Sequence, residues 1–541
     1  MVPFLLSTQL ELKMNNTSNF IKTRIKSDLD AGLVPDNKVV LRFPPEPNGY
    51  LHLGHAKSII INSNLAEEFG GVVNLRFDDT NPEKENIEYV NAIKNDVAWL
   101  SPSFNNIFWA SNYFDIMYDC AVLLVKKDLA YVDDNDLDTI RNLRGDFNTL
   151  GTNSIYRDRT IEENLDLLNR MKNGEFTDGA KVLRAKIDMT HSNMNMRDPI
   201  LYRIKHAEHH NTGNKWCIYP MYDFAHSIED SLEGVTHSIC TMEFEAHRPL
   251  YDWVIENCYS LLGNRPVQIE FARLEMAGVV LSKRKLNLLV TENKVNGWTD
   301  PVMPTISGLR NRGYTPEILK EFINRCGVSK AFSTIEKNVL SDCVRDTLNP
   351  IAPRTMTIVN PVLLEIENWK NDEKIMMPNH PKNTDLGERE LNLTKHIWIE
   401  KDDIRLTAEK DFWRIYPGNW IRLKHGYNLL IKEIITKGDN IVKVIAEYDE
   451  VSKNPKTAKH KAKAALHWLS DIDSTDFSIH FYSDLYDENG EYRSDNLIVK
   501  NGKVEKSLLD SSEAHYEFER NGYFYVKDNI AHCLSNLKSH K

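Results

Sequence analysis

The feature that most constrains the fold is a strand, a helix and a second strand that together occupy residues 39–77. Branched and aromatic residues predict strands at 39–43 and 72–77, and apolar residues at helical spacing predict a helix at 56–69. The pair Gly70-Gly71 ends the helix. Such a βαβ unit has parallel strands and a right-handed crossover, so the sequence predicts an α/β sheet.

The turn between the first strand and the helix carries groups that suit an anionic ligand. Pro44, Pro45 and Pro47 stop the strand because proline cannot extend a β ladder. His52 and His55 are three residues apart, so both imidazoles lie on one face at the start of the helix. From position alone, this pair fits phosphate binding, a structural role or half of a metal site.

Two further stretches predict a ligand site at one edge of the sheet. The acidic turn 78–82 follows the second strand, and open α/β sheets bind ligands at the carboxyl ends of their strands. The unit has no G-x-G-x-x-G motif, which argues against dinucleotide binding. Residues 280–286 are predicted to form a basic loop, which by itself is typical of a solvated surface. Together with the histidine pair, it offers cations to an anion from two sides.

Composition limits the classes of protein that fit. The chain has 67 basic and 78 acidic residues and a net charge of -11, so a nucleic-acid partner would need local basic patches. The seven cysteines form no C-x-x-C pair, which argues against a disulfide scaffold and favours a reducing compartment. No apolar run approaches the roughly 20 residues of a membrane span. Residues 1–14 lack the features of a signal peptide, and Met14 is an alternative start.

The predicted secondary structure changes twice along the rest of the chain. Residues 111–220 mix strands and helices, which predicts an inserted α/β module, and residues 300–348 carry three helical patterns. From residue 349, short alternating runs between Gly, Pro, Asn and Asp predict antiparallel β-barrels. The expected divisions are an N-terminal extension predicted to be disordered (1–19), two halves of an α/β domain (20–110 and 221–275), the insertion (111–220), a basic loop with a helical connector (276–348) and two barrels (349–541).

Longer strings around these motifs resemble one enzyme family. His-Leu-Gly-His at 52–55 is similar to the HIGH motif of class I aminoacyl-tRNA synthetases, and Leu-Ser-Lys-Arg-Lys at 281–285 is similar to their KMSKS loop. The strings at 42–52, 75–82, 215–224 and 281–291 resemble the glutaminyl-tRNA synthetases specifically. The resemblance runs from about residue 20 to about residue 526. It implies a Rossmann-like catalytic domain, an acceptor-stem-binding insertion at 111–220 and anticodon-binding barrels.

The resemblance also implies a reaction. The carboxylate of glutamine attacks the α-phosphate of ATP in line, pyrophosphate leaves, and the glutaminyl group passes to the 3′-terminal adenosine of tRNA(Gln). Because the protein does little covalent work, orientation and charge stabilisation should dominate. Magnesium is expected to accompany ATP, and no zinc is expected. Leu281 replaces the methionine of the usual motif, which is a nearly volume-matched change.

The residues implied by the resemblance fall into four sets. Those expected to be catalytic are His52, His55, Ser282 and Lys283. The expected ATP-binding residues are Glu46, Pro47, Asn48, His52, Leu53, Gly54, His55, Ala56, Lys57, Ser58, Thr241, Arg273, Leu274, Leu281, Ser282 and Lys283. The expected glutamine-binding residues are Arg42, Asp78, Tyr222 and His226. The expected tRNA-binding residues are Arg354, Arg414, Arg422 and Lys424, each of which is equally consistent with an ordinary barrel surface.

Two further sequence features, a histidine cluster and an alanine near the acceptor-stem contacts, carry expectations of their own. The cluster of His206, Glu208, His209 and His210 has the residue types of a metal site, but the comparable family loop needs no zinc, so we expect no metal there. Ala246 stands where some relatives have an aspartate near the acceptor stem, so discrimination at that point is expected to differ.

Several alternatives stay open at this stage. The nearest is a glutamyl-tRNA synthetase that charges glutamate; Tyr222 in its Tyr-Pro-Met-Tyr-Asp-Phe context and the β-rich C-terminus favour glutamine. A tRNA-binding paralogue without catalysis would not need both motifs, and a small-molecule nucleotidyltransferase would leave the barrels unused. We expect a monomeric cytoplasmic enzyme with tRNA(Gln), L-glutamine and ATP as partners and no membrane contact.

Overall fold

A computed structural model describes residues 19–83, 86–101, 103–510 and 513–537. The predicted disorder of residues 1–19 therefore lies almost wholly outside the described residues. The chain forms two compact units, one built from residues up to Glu275 with Ile323–Ile335, the other from Met276–Phe322 with the residues from Glu336 onward. Among the described residues, no helix combines the length and the apolar composition needed to cross a bilayer.

The helices and strands are numbered in chain order. The helices are α1 Phe20–Asp30, α2 Leu53–Glu68, α3 Ile87–Leu100, α4 Phe114–Lys126, α5 Leu137–Arg144, α6 Ile161–Lys172, α7 Tyr222–Leu232, α8 Arg248–Leu262, α9 Lys283–Thr291, α10 Ile306–Arg312, α11 Pro316–Cys326 and α12 Lys337–Leu348. The strands of the first half are β1 Val40–Phe43, β2 Val72–Phe77, β3 Phe104–Trp109, β4 Ala130–Asp133, β5 Val182–Ala185, β6 Ile200–Ile204, β7 Ile218–Pro220, β8 His237–Thr241, β9 Val267–Phe271, β10 Glu275–Met276 and β11 Thr334–Ile335.

The strands of the second half are more numerous, and several of them are longer. They are β12 Arg354–Thr355, β13 Thr357–Val359, β14 Pro361–Ile366, β15 Glu373–Pro378, β16 Glu388–Leu393, β17 His396–Glu400, β18 Trp420–Leu423, β19 Asn428–Lys437, β20 Asn440–Tyr448, β21 Ala465–Leu466, β22 Leu469–Ser470, β23 Ser474–Tyr482, β24 Leu497–Glu505, β25 Glu513–Phe518, β26 Gly522–Lys527 and β27 Ile530–Asn536.

The predicted βαβ unit is confirmed in the first unit. Val40 pairs with Val72 in a parallel β1–β2 ladder, and β3 extends it in parallel on the other side of β2. Strands β8 and β9 form a second parallel pair. The amide of Thr236 donates to the carbonyl of Val40 at 2.9 Å, which places this pair beside β1. The resulting order β3-β2-β1-β8-β9 changes direction next to β1, and such a switch point is where open α/β sheets bind ligands.

An apolar core fixes helices α1 and α2 against this sheet. Ile25 of α1 and Leu65 of α2 pack with Leu41, Val73 and Phe271 of the strands, and all five are at least 97 % buried. Each such side chain contributes roughly 1.5–3 kcal/mol of burial free energy relative to exposure. The carboxyl edge of the sheet is therefore a rigid platform for the turns that follow β1, β2, β8 and β9.

The insertion contains a four-stranded antiparallel sheet in the order β4-β5-β6-β7. Sequence analysis predicts a separate module here, but the packing is continuous. Met117 of α4, Leu183 of β5, Phe224 of α7 and Val254 of α8 belong to one buried cluster. The insertion therefore shares its core with the helices that lead into β8 and β9.

The second unit ends in two seven-stranded, barrel-like sheets. One has the order β21-β18-β19-β20-β14-β17-β22, and the other has the order β12-β25-β26-β27-β23-β24-β13. The prediction of antiparallel barrels is confirmed for eight of the twelve ladders described in these sheets, whereas β12–β25, β14–β20, β18–β21 and β23–β27 pair in parallel. Each of these four ladders joins strands that are distant in the chain, so local hairpin patterns did not reveal them.

Candidate active site

The turn after β1 ends with His52 in the N-cap position of α2, so the helix begins three residues earlier than predicted. The Nδ1 of His52 accepts from the amide of Gly54 at 3.1 Å. The Nδ1 of His55 accepts from the amide of His52, also at 3.1 Å. The two histidines thus form a reciprocal capping box, a motif more often made by Ser or Thr with Glu.

This capping fixes the chemistry of the two rings. A neutral imidazole whose Nδ1 accepts a hydrogen bond carries its proton on Nε2. Both His52 and His55 therefore present Nε2–H as a donor, and their ring centroids are 3.9 Å apart. Both side chains are half-buried. Two adjacent donors at a helix N-terminus suit phosphate oxygens.

The other ATP-binding candidates on this turn differ in accessibility. Glu46 is exposed, Asn48, Gly54 and Ser58 are half-buried, and Pro47, Leu53, Ala56 and Lys57 are buried. Asn48 donates from its side-chain amide to the carboxylate of Glu46, so these two are already joined.

Lys57 departs most from its predicted role. Its side chain is 5 % exposed, and its Nζ donates to the carbonyl of Ala272 at 2.8 Å. The ammonium lies 5.5 Å from the ring centroid of Phe271, and burial lowers its pKa. The charge of Lys57 therefore ties α2 to the end of β9, which is a structural role.

The remaining predicted residues of this unit gather at the same edge of the sheet. Thr241 ends β8, and Arg273 and Leu274 follow β9. Leu274 is 5 % exposed, whereas Arg273 is exposed and paired with Glu243 at 2.5 Å and with Glu275 at 2.9 Å. Two carboxylates therefore hold the guanidinium of Arg273 in a surface network.

Arg42 is fully buried at the end of β1 and all of its donors point into the interior. Its Nε donates to Asp230 at 3.0 Å and its Nη1 to the carbonyl of Ile239 at 2.8 Å. Its Nη2 donates to Ser238 at 2.8 Å and lies 2.5 Å from Nε2 of His226. Since a guanidinium can only donate, His226 accepts there and carries its ring proton on Nδ1.

Asp78, at the carboxyl end of β2, is held by an arginine that sequence analysis missed. Nε of Arg76 donates to Asp78 Oδ1 at 2.9 Å, and Arg76 is fully buried while Asp78 is 3 % exposed. Among the described residues, the second oxygen of Asp78, Oδ2, is buried and has no hydrogen-bond partner. A buried carboxylate oxygen without a donor is an acceptor available to a cationic group of a ligand.

Helix α7 and Glu233, the residue that follows it, supply the carboxyls around the two arginines. Nη1 of Arg76 contacts Asp230 at 2.7 Å and Glu233 at 3.2 Å, and Nε lies 2.8 Å from Glu229. Burial raises the pKa of Glu233 to about 7 and that of Glu229 well above its ordinary value. Burial would raise the pKa of Asp230 too, but the guanidiniums of Arg42 and Arg76 hold it well below its ordinary range. Asp230 is therefore the permanently ionised member of the group.

Tyr222 begins α7 and stands over this charged cluster. Its ring stacks on His226 with centroids 5.2 Å apart and planes inclined by 16°. Burial, with Asp78 nearby, raises the pKa of Tyr222 well above its ordinary value. The phenol therefore stays protonated and can both donate and accept.

Comparisons with known proteins identify the family. Residues 38–350 match the model described as tRNA synthetases class I (E and Q), catalytic domain, and residues 352–449 and 465–527 match the two anticodon-binding domain models of the same group. The chain is 50% identical over 528 residues to a glutamine–tRNA ligase of Clostridium kluyveri, covering 95% of this chain and 94% of that protein. It is 48% identical to the Neisseria meningitidis glutamine–tRNA ligase over 94% of each chain. The chain belongs to the glutaminyl-tRNA synthetase family.

The family's KMSKS-like motif lies in the second unit and its predicted loop is partly helical. Helix α9 begins at Lys283, with Ser282 in the N-cap position. The prediction of a basic loop over 280–286 is therefore wrong from Lys283 onward, because Leu286 and Leu289 are buried at helical spacing and anchor the turn. Leu281 and Lys283 are half-buried, and Ser282 is exposed.

The histidine cluster of the insertion gains a carboxylate that its sequence did not reveal. Asp79, His209 and His210 bring their ligand atoms within 4.8 Å of one another. Nε2 of His209 donates to the carbonyl of Asp79 at 2.7 Å, because its Nδ1 accepts from the amide of Asn211 at 3.1 Å. Both ring nitrogens of His209 are thus engaged with backbone groups, which does not fit a metal ligand. His206, by contrast, pairs with Asp178 at 2.7 Å.

The four residues expected to contact tRNA all have partners within the second unit. Arg354 pairs with Glu517 at 2.8 Å, Arg414 with Asp403 at 3.0 Å, and Lys424 with Glu519. Arg422 donates to the carbonyls of Ser452 and Lys453 at 2.8 and 2.9 Å. Arg422 therefore holds the segment after β20, and the side chain of Arg414 is 42 % exposed.

Sequence analysis missed an aromatic and basic surface on the first barrel. Trp413 is 44 % exposed, and Nζ of Lys463 lies 3.5 Å from its ring centroid. Trp420 stacks on His460 with centroids 4.3 Å apart. The lysine-rich stretch 451–463 was visible in the sequence, but only folding brings it beside the two tryptophans. Stacking platforms next to cations suit unpaired RNA bases.

Proposed function

We propose that this chain is a glutamine–tRNA ligase. It converts L-glutamine and ATP to glutaminyl-adenylate and pyrophosphate, and then transfers the glutaminyl group to the 3′-terminal adenosine of tRNA(Gln) with release of AMP. The observation that carries the proposal is the 50% identity over 95% of the chain to a protein of that name. The geometry at the edge of the parallel sheet supports it, since groups that suit ATP phosphates and groups that suit an amino acid both lie there.

The activation step rests on groups that hold phosphates. ATP binds as its magnesium complex, and the Nε2–H donors of His52 and His55 contact its phosphate oxygens. The amino-acid carboxylate attacks the α-phosphate and the bond to pyrophosphate breaks. Charge that develops on the phosphates is stabilised by Lys283, with Ser282, so that orientation and electrostatics rather than covalent catalysis lower the barrier.

Glutamine recognition rests on the buried pocket of β1, β2 and α7. Asp78 Oδ2 accepts from the substrate ammonium, because it is an ionisable acceptor without a partner. Tyr222 hydrogen-bonds the side-chain amide, and Arg42 and His226 complete the wall behind it. Glutamate is rejected if no unpaired cation contacts the carboxylate at the end of its side chain. A buried carboxylate without a partner costs more than roughly 1–3 kcal/mol of binding free energy.

Recognition of tRNA is divided along the chain. The insertion at 111–220 binds the acceptor end, and the barrels of residues 349–541 bind the anticodon. Residues 20–110 and 221–275 form the two halves of the catalytic domain, and 276–348 link it to the barrels. Arg414 and the Trp413–Lys463 pair are the contacts on the first barrel that are open to a base.

ATP–pyrophosphate exchange tests the proposal. The purified chain is assayed with glutamine and with glutamate, each with and without total tRNA. We expect exchange with glutamine in the presence of tRNA, followed by accumulation of glutaminyl-tRNA. Exchange that prefers glutamate would show a glutamyl-tRNA synthetase instead, and tRNA binding without exchange for either amino acid would show a paralogue that has lost catalysis.

A further inference from the structure

We propose that Asp230 of α7 is the positioning residue that sets both ends of the amino-acid pocket at once. The inference rests on the proposed function, in which Arg42 and Asp78 border the bound glutamine. Asp230 touches neither ATP nor the amino acid in this scheme. It acts through two arginines, Arg42, which contacts His226, and Arg76, which binds Asp78.

The first link is to the wall formed by Arg42. Asp230 Oδ1 accepts from Nε of Arg42 at 3.0 Å, and both side chains are fully buried. The planar guanidinium has its Nη2 within 2.5 Å of His226, so the orientation of Arg42 also orients that imidazole. The carboxylate of Asp230 therefore decides where the Arg42–His226 pair lies behind Tyr222.

The second link is to the ammonium-binding carboxylate. The same oxygen of Asp230, Oδ1, accepts from Nη1 of Arg76 at 2.7 Å. Nε of Arg76 in turn donates to Oδ1 of Asp78, which leaves Oδ2 of Asp78 as its free acceptor. One oxygen atom thus joins the guanidinium of β1 to the guanidinium of β2.

The other oxygen of Asp230 is held just as firmly. Ser238 of β8 donates to Oδ2 at 2.6 Å, and the hydroxyl of Tyr251 donates to it at 2.9 Å. The carboxylate is therefore fixed from β8 and α8 while it fixes β1 and β2. A carboxylate with four donors in a dry interior has a defined position, which is what a pre-organised pocket needs.

Because of its charge, Asp230 has a role between Arg42 and Arg76 that the neighbouring carboxyls Glu229 and Glu233 cannot take over. Two buried guanidiniums lie next to each other here, and they repel unless an anion stands between them. Glu229 and Glu233 have raised pKa values, so they are weaker anions at neutral pH. Asp230, whose pKa is depressed, carries the full negative charge between Arg42 and Arg76.

Steady-state aminoacylation of Asp230→Asn in the full-length enzyme tests the proposal. Asparagine keeps the shape but removes the charge between the arginines. We expect KM for glutamine to rise about ten- to a hundredfold because both ends of the pocket shift. The KM values for ATP and tRNA(Gln) should stay within about threefold of the wild type, since those ligands do not use the two arginines.

Asp133→Asn is the matched control. Asp133 is also a fully buried aspartate, paired with Arg184 at 2.8 Å, but it lies in the insertion. It should lose stability without a change in KM for glutamine. If Asp230→Asn does not fold, Ser238→Ala is the second test, because it removes one donor to Asp230 and the Ser238 acceptor of Arg42 while it leaves every charge in place. We expect Ser238→Ala to raise KM for glutamine roughly threefold or more.

The outcomes separate the two proposals. A wild-type chain that does not charge tRNA(Gln) with glutamine overturns the proposed function, and this inference with it. A wild-type chain that does so, together with Asp230→Asn or Ser238→Ala variants that keep KM for glutamine, overturns the positioning role alone. Equal rises in the KM values for glutamine, ATP and tRNA would also overturn it, because they indicate general loosening of the fold.

Discussion

Replacing Asp78 by asparagine is the most direct test of how the pocket holds the amino acid. The side chain is 3 % exposed, Oδ1 is bound by Arg76 at 2.9 Å, and Oδ2 has no partner in the part of the chain that the structure describes. Removing one member of a buried charge pair costs about 2–5 kcal/mol. With about 3 kcal/mol as a working value, kcat/KM for glutamine should fall roughly a hundredfold or more.

The stability of the same variant should change much less. Arg76 keeps contacts to Glu229, Asp230 and Glu233, so Asp78→Asn leaves no arginine unpaired. We expect the free energy of unfolding to change by about 1 kcal/mol or less. The large loss should therefore appear in kcat/KM for glutamine and not in the free energy of unfolding.

The assay is charging of tRNA(Gln) with labelled glutamine at saturating ATP, combined with urea unfolding. Asp28→Asn is the control, since Asp28 is also buried, at 6 % exposure, and pairs with Arg24 at 2.7 Å and His237 at 3.3 Å. The control should keep kcat/KM for glutamine. An Asp78→Asn enzyme with wild-type kcat/KM would refute the assignment of Oδ2 to the substrate ammonium.

Three further outcomes are expected. Lys283→Ala should lower the rate of ATP–pyrophosphate exchange by roughly 10²–10³ and leave the Kd for tRNA nearly unchanged, and equal losses would show that the motif is a docking surface. Lys57→Met should leave KM for ATP unchanged but lower the free energy of unfolding by about 1–3 kcal/mol, because the carbonyl of Ala272 loses its donor; a raised KM for ATP would restore the predicted ligand role. Burial lowers the pKa of His532 to about 4, below its ordinary value of 6.5, so the folded state binds fewer protons than the unfolded state between these pH values. The second barrel should lose up to about 3 kcal/mol as the pH falls from 6.5 to 4, measured by urea unfolding, and His532→Gln should remove that loss.

The local elements of the site were predictable from the sequence. Strands at 39–43 and 72–77 differ from β1 and β2 by at most one residue, because branched residues and the flanking prolines and glycines act over short distances. The parallel pairing of the two strands was predictable as well, since a short helical crossover allows little else. The turn with His52 and His55 was recognised, but not that each ring caps the backbone of the same turn.

For two of the predicted site residues, Lys57 and Arg422, the side-chain partner comes from another part of the chain that local sequence did not indicate. Lys57 looks like a phosphate-binding lysine next to a helix start, yet its ammonium is taken by the carbonyl of Ala272, 215 residues away. Arg422 looks like a cation for RNA, yet it holds the carbonyl of Ser452. The sequence shows which polar groups are present, but it does not show which of them form hydrogen bonds within the folded protein.

The sequence by itself determined the family, the parallel sheet and the residue types at its carboxyl edge. Those features depend on short-range patterns and on motifs that lie within a few residues of one another. The tertiary structure alone decided how the pocket is held. Asp230 lies 188 residues from Arg42 and 154 from Arg76, and only packing of α7 under the sheet makes it their common acceptor. Buried charges must find partners wherever the fold provides them, so their pairing is a property of the core rather than of the local sequence.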